Sequence, residues 1–125
     1  MVDAAAMRTA LDDTGKIALD SILFDFGTAT LAPQSASTLD EMARLLTESP
    51  DLAVYIVGHT DNVGTFETNL ALSRARAEAV VAALGARGID AARTVPAGVA
   101  DLSPVASNAT EAGRQMNRRV EMVRR

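Results

Sequence analysis

Apolar residues recur along this chain with two periods, and the switches between them mark out its elements. From Lys16 to Phe24 they alternate, with Ile17, Leu19, Ser21 and Leu23 on one side and Ala18, Asp20, Ile22 and Phe24 on the other, which is the period of a strand. From Pro33 to about Glu48 the spacing becomes helical: Leu39, Met42, Ala43 and Leu46 share a face, Asp40 and Arg44 stand paired on the other, and Pro33 and Pro50 open and close the segment. Leu52 to Val57 is apolar and mostly β-favouring, so it reads as a second strand, ended by Gly58 and the Asn62/Gly64 pair. Glu67 to Ala86 has no proline and no glycine before Gly85, and places Leu72, Ala75, Ala79, Val80 and Ala83 at helical spacing.

Beyond Gly88, Arg93 to Gly98 reads as a third, short strand, and Pro96 favours an edge there because it has no N–H to give a neighbouring strand. An irregular stretch through Pro104 and Asn108, a short helix from Thr110 to Met116 and a last strand from Arg118 to Arg124 complete the chain. The order β-α-β-α-β-(short α)-β predicts a single-domain α+β sandwich, with helices packed on one face of a small mixed sheet. Residues 16–125 form this domain. Residues 1–15 are expected to be a loosely attached extension, in which Ala4 to Asp12 has the pattern of a short helix.

The chemistry concentrates after the second strand. Gly58-His59-Thr60-Asp61-Asn62-Val63-Gly64 puts Asp61 at a strand exit, and on the helix that follows Asn69, Ser73, Arg76 and Val80 succeed one another at i, i+4, i+7 and i+11. One helical face thus carries Asn69, Ser73 and Arg76 into the apolar stripe. A guanidinium there must meet an anion, because a broken buried pair costs about 3–5 kcal/mol. Two readings compete: an internal ion pair with Asp61 that pins the loop to the helix, or a divided site in which Arg76 forks onto a ligand carboxylate while Asp61 takes an ammonium of the same ligand. The second arrangement recognises a zwitterion.

These residues resemble a known family. Gly58-His59-Thr60-Asp61, Gly64, Asn69, Leu72-Ser73, Arg76-Ala77 and Val80 are similar to the core motif of the OmpA-like peptidoglycan-binding domain of outer-membrane porins, peptidoglycan-associated lipoproteins and flagellar stator proteins. The resemblance runs from about Ile22 to Val123 and takes in Phe24-Asp25-Phe26, Leu31, Gly88-Ile89, Pro104, Asn108, Gly113-Arg114 and Asn117-Arg118-Arg119-Val120-Glu121. It implies non-covalent binding of the peptide stem of peptidoglycan through diaminopimelate, whose far end carries an ammonium and a carboxylate on one carbon. Carried over by position, Asp61 accepts the ammonium and Arg76 forks onto the carboxylate. Thr60 and Asn69 add hydrogen bonds, and Asp25 and Phe26 form a wall. Leu72 and Arg118 are further candidates, with core packing and a solvated strand-face charge as their respective alternatives.

The resemblance also implies that Asn117 to Glu121 lie in a strand, so that Arg118 and Arg119 point to opposite faces. The chain departs from the family at Gly98-Val99-Ala100-Asp101, where relatives commonly have a second glycine in place of Ala100. If that position needs positive φ, alanine strains it by ~1 kcal/mol or more.

Composition closes off other classes. Asp and Glu number 16 against 12 Lys and Arg, a formal charge of -4, which argues against a general nucleic-acid binder. There is no cysteine and only one histidine, His59, so no thiolate or paired-histidine metal site is expected and no cofactor is implied. A Ser/His/Asp reading would have to join His59 to Ser73 or another serine and to an acid such as Asp61; a lone histidine beside a core strand fits a structural hydrogen-bonding residue better, and no enzyme is expected.

No run approaches the roughly 18 apolar residues of a membrane helix, and Met1 to Ala6 lacks the basic and apolar parts of a signal peptide. Since the resemblance implies a periplasmic site at the outer membrane or cell wall, the chain is expected to be a mature or excised domain whose signal or anchor lies elsewhere. The alternative function is a protein-protein interaction module of the same fold, self-associating or docking an envelope protein through Met7, Leu11 or the basic end near Arg124, with Asp61 and Arg76 as a structural salt bridge.

Overall fold

The computed structural model describes residues 2–125, so Met1 of the predicted extension lies outside it. Helix α1 spans Ala4–Asp13, strand β1 Lys16–Ala18, helix α2 Ala36–Glu48, β2 Val54–His59, α3 Phe66–Gly85, β3 Thr94–Gly98, α4 Glu111–Asn117 and β4 Arg119–Arg124. The four strands form one mixed sheet in the order β1-β4-β2-β3. β2 and β3 are parallel, and β4, last in the chain, is inserted antiparallel between β1 and β2. β3 is an edge strand, which is where Pro96 can sit without breaking a ladder.

Alternation along the strands decides which face the helices cover. Val54 and Ile56 of β2 and Val120 and Met122 of β4 are buried, and they meet Met7 and Leu11 of α1, Leu39, Met42 and Leu46 of α2, and Ala77, Val80 and Leu84 of α3. The four residues expected to point inward from the second helical segment, Leu39, Met42, Ala43 and Leu46, are all buried, and Leu45 joins them. The Asp40/Arg44 pair is not formed. Asp40 instead receives Arg87 Nε from the end of α3 at 2.8 Å, and Arg44 pairs with Glu48 at 3.2 Å, one turn further on.

Two other expectations give way to packing. The first strand is three residues long. The chain turns at Leu19–Ile22, where the Ile22 N–H donates to the Leu19 carbonyl at 3.0 Å, and resumes extended pairing only at the Phe24–Leu31 bridge. Leu19 and Ile22 both reach the core because the turn, not the strand period, sets their spacing, while Leu23 is left exposed. The N-terminal segment is docked. Asp3 caps α1 by accepting the Ala6 N–H at 2.9 Å, Arg8 donates to Ser49 Oγ, and Ala4, Met7 and Leu11 are buried against α2. Met7 and Leu11 are therefore not available to a docking partner.

Close approach of α3 to the sheet positions the rest. Gly58 and Gly98 are register partners in the β2–β3 pair. A Cβ on Gly58 would meet the Ser73 carbonyl, and one on Gly98 would meet the Arg74 backbone nitrogen, so only glycine lets the helix lie this near. The loop after β3 then folds back over the helix. Ser73 Oγ accepts the Ala100 N–H at 3.1 Å and the Ala100 carbonyl accepts the Thr60 N–H at 2.9 Å. Ala100 has φ 51°, the left-handed conformation anticipated at this position.

Candidate functional site

The loop between β2 and α3 is built around Asp61. Its Oδ1 accepts the Val63 N–H at 2.9 Å, a turn in which the carboxylate replaces a backbone acceptor. Asn69 Nδ2 donates to the Asp61 and Val63 carbonyls at 3.3 and 3.0 Å, and Thr60 Oγ1 donates to the Asp61 carbonyl at 2.8 Å. Thr65 then caps α3 by accepting the Thr68 N–H at 3.1 Å. Thr60 and Asn69 thus spend these donors holding the loop in shape.

Arg76 stands three residues beyond Ser73 on α3 and reaches the hairpin that follows Phe24. Its Nε donates to the Thr28 carbonyl at 2.8 Å, and its guanidinium lies 4.9 Å from the centre of the Phe24 ring. The same hairpin is closed by Asp25, whose carbonyl accepts the Thr28 N–H at 3.0 Å and Thr28 Oγ1 at 2.9 Å. Phe26 at its tip is fully exposed, before Gly27 at φ 69°. Asp25 and Phe26 are therefore coupled to Arg76 through Thr28. Leu72 is partly exposed and is not among the residues of the buried core, so core packing does not account for it.

The internal Asp61–Arg76 ion pair is absent among the described residues. Asp61 Oδ2 instead accepts Arg118 Nη1 at 2.6 Å. Arg76 is half-buried with only a carbonyl and a ring as neighbouring partners, and its two terminal amino groups form no hydrogen bond among the described residues. Burial lowers its pKa from the ordinary value, repulsion by Arg118 adds to this, and Asp61 opposes it. The site therefore holds a guanidinium whose own counter-ion has been taken by another arginine.

Arg118 is not a strand residue, and its exposed guanidinium is paired with two carboxylates rather than left free. It is the C-cap of α4, and β4 begins at Arg119. Its Nη2 donates to Glu111 Oε1 at 2.7 Å, and Glu111 Oε2 accepts Arg114 Nε at 3.0 Å. The hydrogen bonds that Arg118 donates to Glu111 and Asp61 raise its pKa, and Arg118 followed by Arg114 lowers that of Glu111. Fully buried Asn117 anchors the segment. Its Oδ1 accepts the Val105 and Ala106 N–H groups at 2.8 and 3.1 Å, and its Nδ2 donates to the Ala106 carbonyl and Asn108 Oδ1, both at 2.8 Å. Glu111 is missing from the sequence-derived candidates, although Glu111, Arg114 and Arg118 at i, i+3 and i+7 are the signal of a charged helical row.

The expected alternation of Arg118 and Arg119 across one strand does not apply, since only Arg119 lies in β4. It is buried there, donating from Nε to Glu121 Oε2 at 2.7 Å and from Nη2 to the Ser103 carbonyl at 2.9 Å. His59 is buried beside this pair, with Nε2 3.7 Å from Glu121 Oε1. Neither ring nitrogen makes a hydrogen bond, so His59 is not the hydrogen-bonding residue that its position suggested. Burial, and then the Arg119 charge, push its pKa down to about 4.

Residues 23–118 match the model of the OmpA family. The chain belongs to that family. It is 42% identical over 103 residues to the probable lipoprotein YiaD of Escherichia coli, covering 82% of this chain and 47% of that protein. It is 41% identical over 102 residues to the peptidoglycan-binding protein ArfA of Mycobacterium tuberculosis, covering 82% of this chain and 31% of that protein. Among solved structures, the peptidoglycan-associated lipoprotein of Burkholderia pseudomallei superimposes with a TM-score of 0.77 at 36% identity, over 83% of this chain and 88% of that one.

The chain spans about half or less of the length of these two curated relatives. Among the described residues no helix is long and apolar enough to cross a membrane, and no cluster of His, Cys, Asp and Glu could hold a metal ion.

Proposed function

We infer that this OmpA-family domain binds peptidoglycan non-covalently through the diaminopimelate of its stem peptide, and so tethers an outer-membrane or other envelope protein to the cell wall from the periplasmic side. The observation that carries the reading is the unpaired fork of Arg76. With Nε spent on Thr28, the guanidinium has Nη1 and Nη2 left for an anion, and these two parallel donors match the two oxygens of a carboxylate. Asp61 supplies the opposite charge for the ammonium on the same ligand carbon. Thr60 and Asn69 hold the Asp61 loop, Asp25 and Phe26 wall the Arg76 side, and Leu72 offers partly exposed apolar surface to the ligand's methylene chain.

Three further points support the reading. Two of the similar proteins, a peptidoglycan-binding protein and a peptidoglycan-associated lipoprotein, are named for the same polymer. The competing interaction-module reading needed Asp61 and Arg76 as a structural pair, and Asp61 pairs with Arg118 instead. Two charge-assisted contacts at about 1.5–3 kcal/mol each, less the ordering cost, give a weak single site, which a polymer of repeated stems strengthens through multivalency.

The test is calorimetric or NMR titration of the domain with free meso-diaminopimelate, together with sedimentation on intact sacculi, for the wild type and Arg76→Ala. Saturable binding that disappears in the variant is the expected result. A wild type that binds neither ligand overturns the reading.

A further inference from the structure

Asp61 is already engaged before any ligand arrives. Arg118 Nη1 occupies Oδ2, the Val63 N–H occupies Oδ1, and the side chain is 11% exposed. An ammonium approaching this carboxylate meets a second cation at contact distance, and the two repel. Arg118, however, has another carboxylate within reach. Its Nη2 is bonded to Glu111 Oε1 at 2.7 Å, on the solvent side of the pair, where Glu111 is 64% exposed. Arg114 holds Glu111 in turn and donates from Nη1 to the Asn108 carbonyl at 2.9 Å. These charges form a row of alternating sign that runs outward from the pocket: Asp61, Arg118, Glu111, Arg114. The backbone at the base of Arg118 is pinned by buried Asn117, so its long side chain can change partner without the chain moving.

We propose that Glu111 is a positioning residue that sets the affinity of the pocket by competing with Asp61 for Arg118. The ligand ammonium takes Asp61 as Arg118 passes wholly to Glu111. Glu111 does not touch the ligand and acts only through Arg118. This rests on the reading of Asp61 as the ammonium acceptor. The pull of Arg118 and Arg114 keeps Glu111 ionised into the acid range, so the second carboxylate stays available.

The test is a double-mutant cycle in which meso-diaminopimelate is titrated into the wild type, Glu111→Gln, Arg118→Gln and the double variant, with melting curves to establish that each is folded. Both side chains are partly exposed, so the fold should persist. Glu111→Gln should bind roughly 2- to 5-fold more weakly and Arg118→Gln more tightly by a similar factor, the range that exposed ion pairs are worth. The double variant should match Arg118→Gln, because Glu111 has no lever once Arg118 is gone. Weaker binding by Arg118→Gln overturns the proposal, since Arg118 would then hold the ligand or shape Asp61 for it. So does a Glu111→Gln effect that is nil, or that persists in the Arg118→Gln background. If neither the wild type nor Arg118→Gln binds meso-diaminopimelate or sacculi, the cell-wall reading falls and takes the proposal with it. If the wild type binds and the cycle departs from this pattern, the proposal falls alone.

Discussion

Gly58 and Gly98 face each other across the parallel β2–β3 pair, and both lie beneath the Ser73–Arg74 backbone of α3. This contact sets the geometry of the candidate site. Asp61 leaves the sheet three residues after Gly58, Arg76 leaves the helix three residues after Ser73, and Ala100 follows Gly98 to bond Ser73 Oγ. Lifting the helix off the sheet would therefore move the carboxylate and the guanidinium relative to each other.

Gly58→Ala is expected to destabilise the domain by about 1–3 kcal/mol, the usual cost of forcing a methyl group into a packed contact, or more because the obstacle is backbone. A thermal melt should show a fall of several degrees. In the fraction that stays folded, binding of meso-diaminopimelate should weaken as well, since the shift passes directly into the Asp61 loop.

Ala100→Gly should act in the opposite direction. Ala100 is fully buried at φ 51°, where an L side chain costs about 1–2 kcal/mol, while glycine adopts this conformation freely and returns part of the gain as unfolded-state entropy. The expected result in chemical denaturation is a net gain of roughly 1 kcal/mol or less, with the Ser73 and Thr60 hydrogen bonds retained.

How far the sequence announces this structure depends on the range of the interaction involved. Leu39, Met42, Ala43 and Leu46 could be placed inward because a helix face repeats locally, and Ala100 drew notice only because the family the chain resembles commonly has a glycine there. The turn at Leu19–Ile22 could not be seen, because it contains neither glycine nor proline and its apolar residues imitate a strand. Asp61 and Arg76 stood out as a motif, but the partner of Asp61 did not. Arg118 lies 57 residues away in the chain and reaches Asp61 only because β4 inserts beside β2, a long-range event that local pattern does not encode. Glu111 was missed for the same reason, since its importance comes only from sharing that arginine.

His59 makes stability depend on pH. Burial pushes its pKa down to about 4 in the folded protein, against 6.5 for an unperturbed histidine, so between these values the unfolded chain binds the extra proton and the folded one does not. The stability this contributes is intact above pH ~6.5 and declines as pH falls toward ~4, by up to about 3 kcal/mol in total. His59→Phe should flatten this part of the profile in melts at pH 7, 6 and 5. An unchanged slope would mean that the acid sensitivity arises from carboxylates instead.

Arg76 separates binding from stability, because among the described residues it has no carboxylate partner to lose. Arg76→Lys keeps the charge but removes the planar fork and the Nε donor to Thr28, so lysine can neither grip a carboxylate with two parallel bonds nor brace the Phe24 hairpin in the same way. Binding of meso-diaminopimelate is expected to fall about 10-fold or more, the loss of one charge-assisted hydrogen bond of roughly 1.5–3 kcal/mol. The midpoint of unfolding should move little, since the lost contacts are one hydrogen bond to a carbonyl and a partly exposed cation–π contact of about 0.5–1 kcal/mol. A large loss of stability with binding intact would make Arg76 a structural brace for the hairpin and would remove the guanidinium from the ligand site.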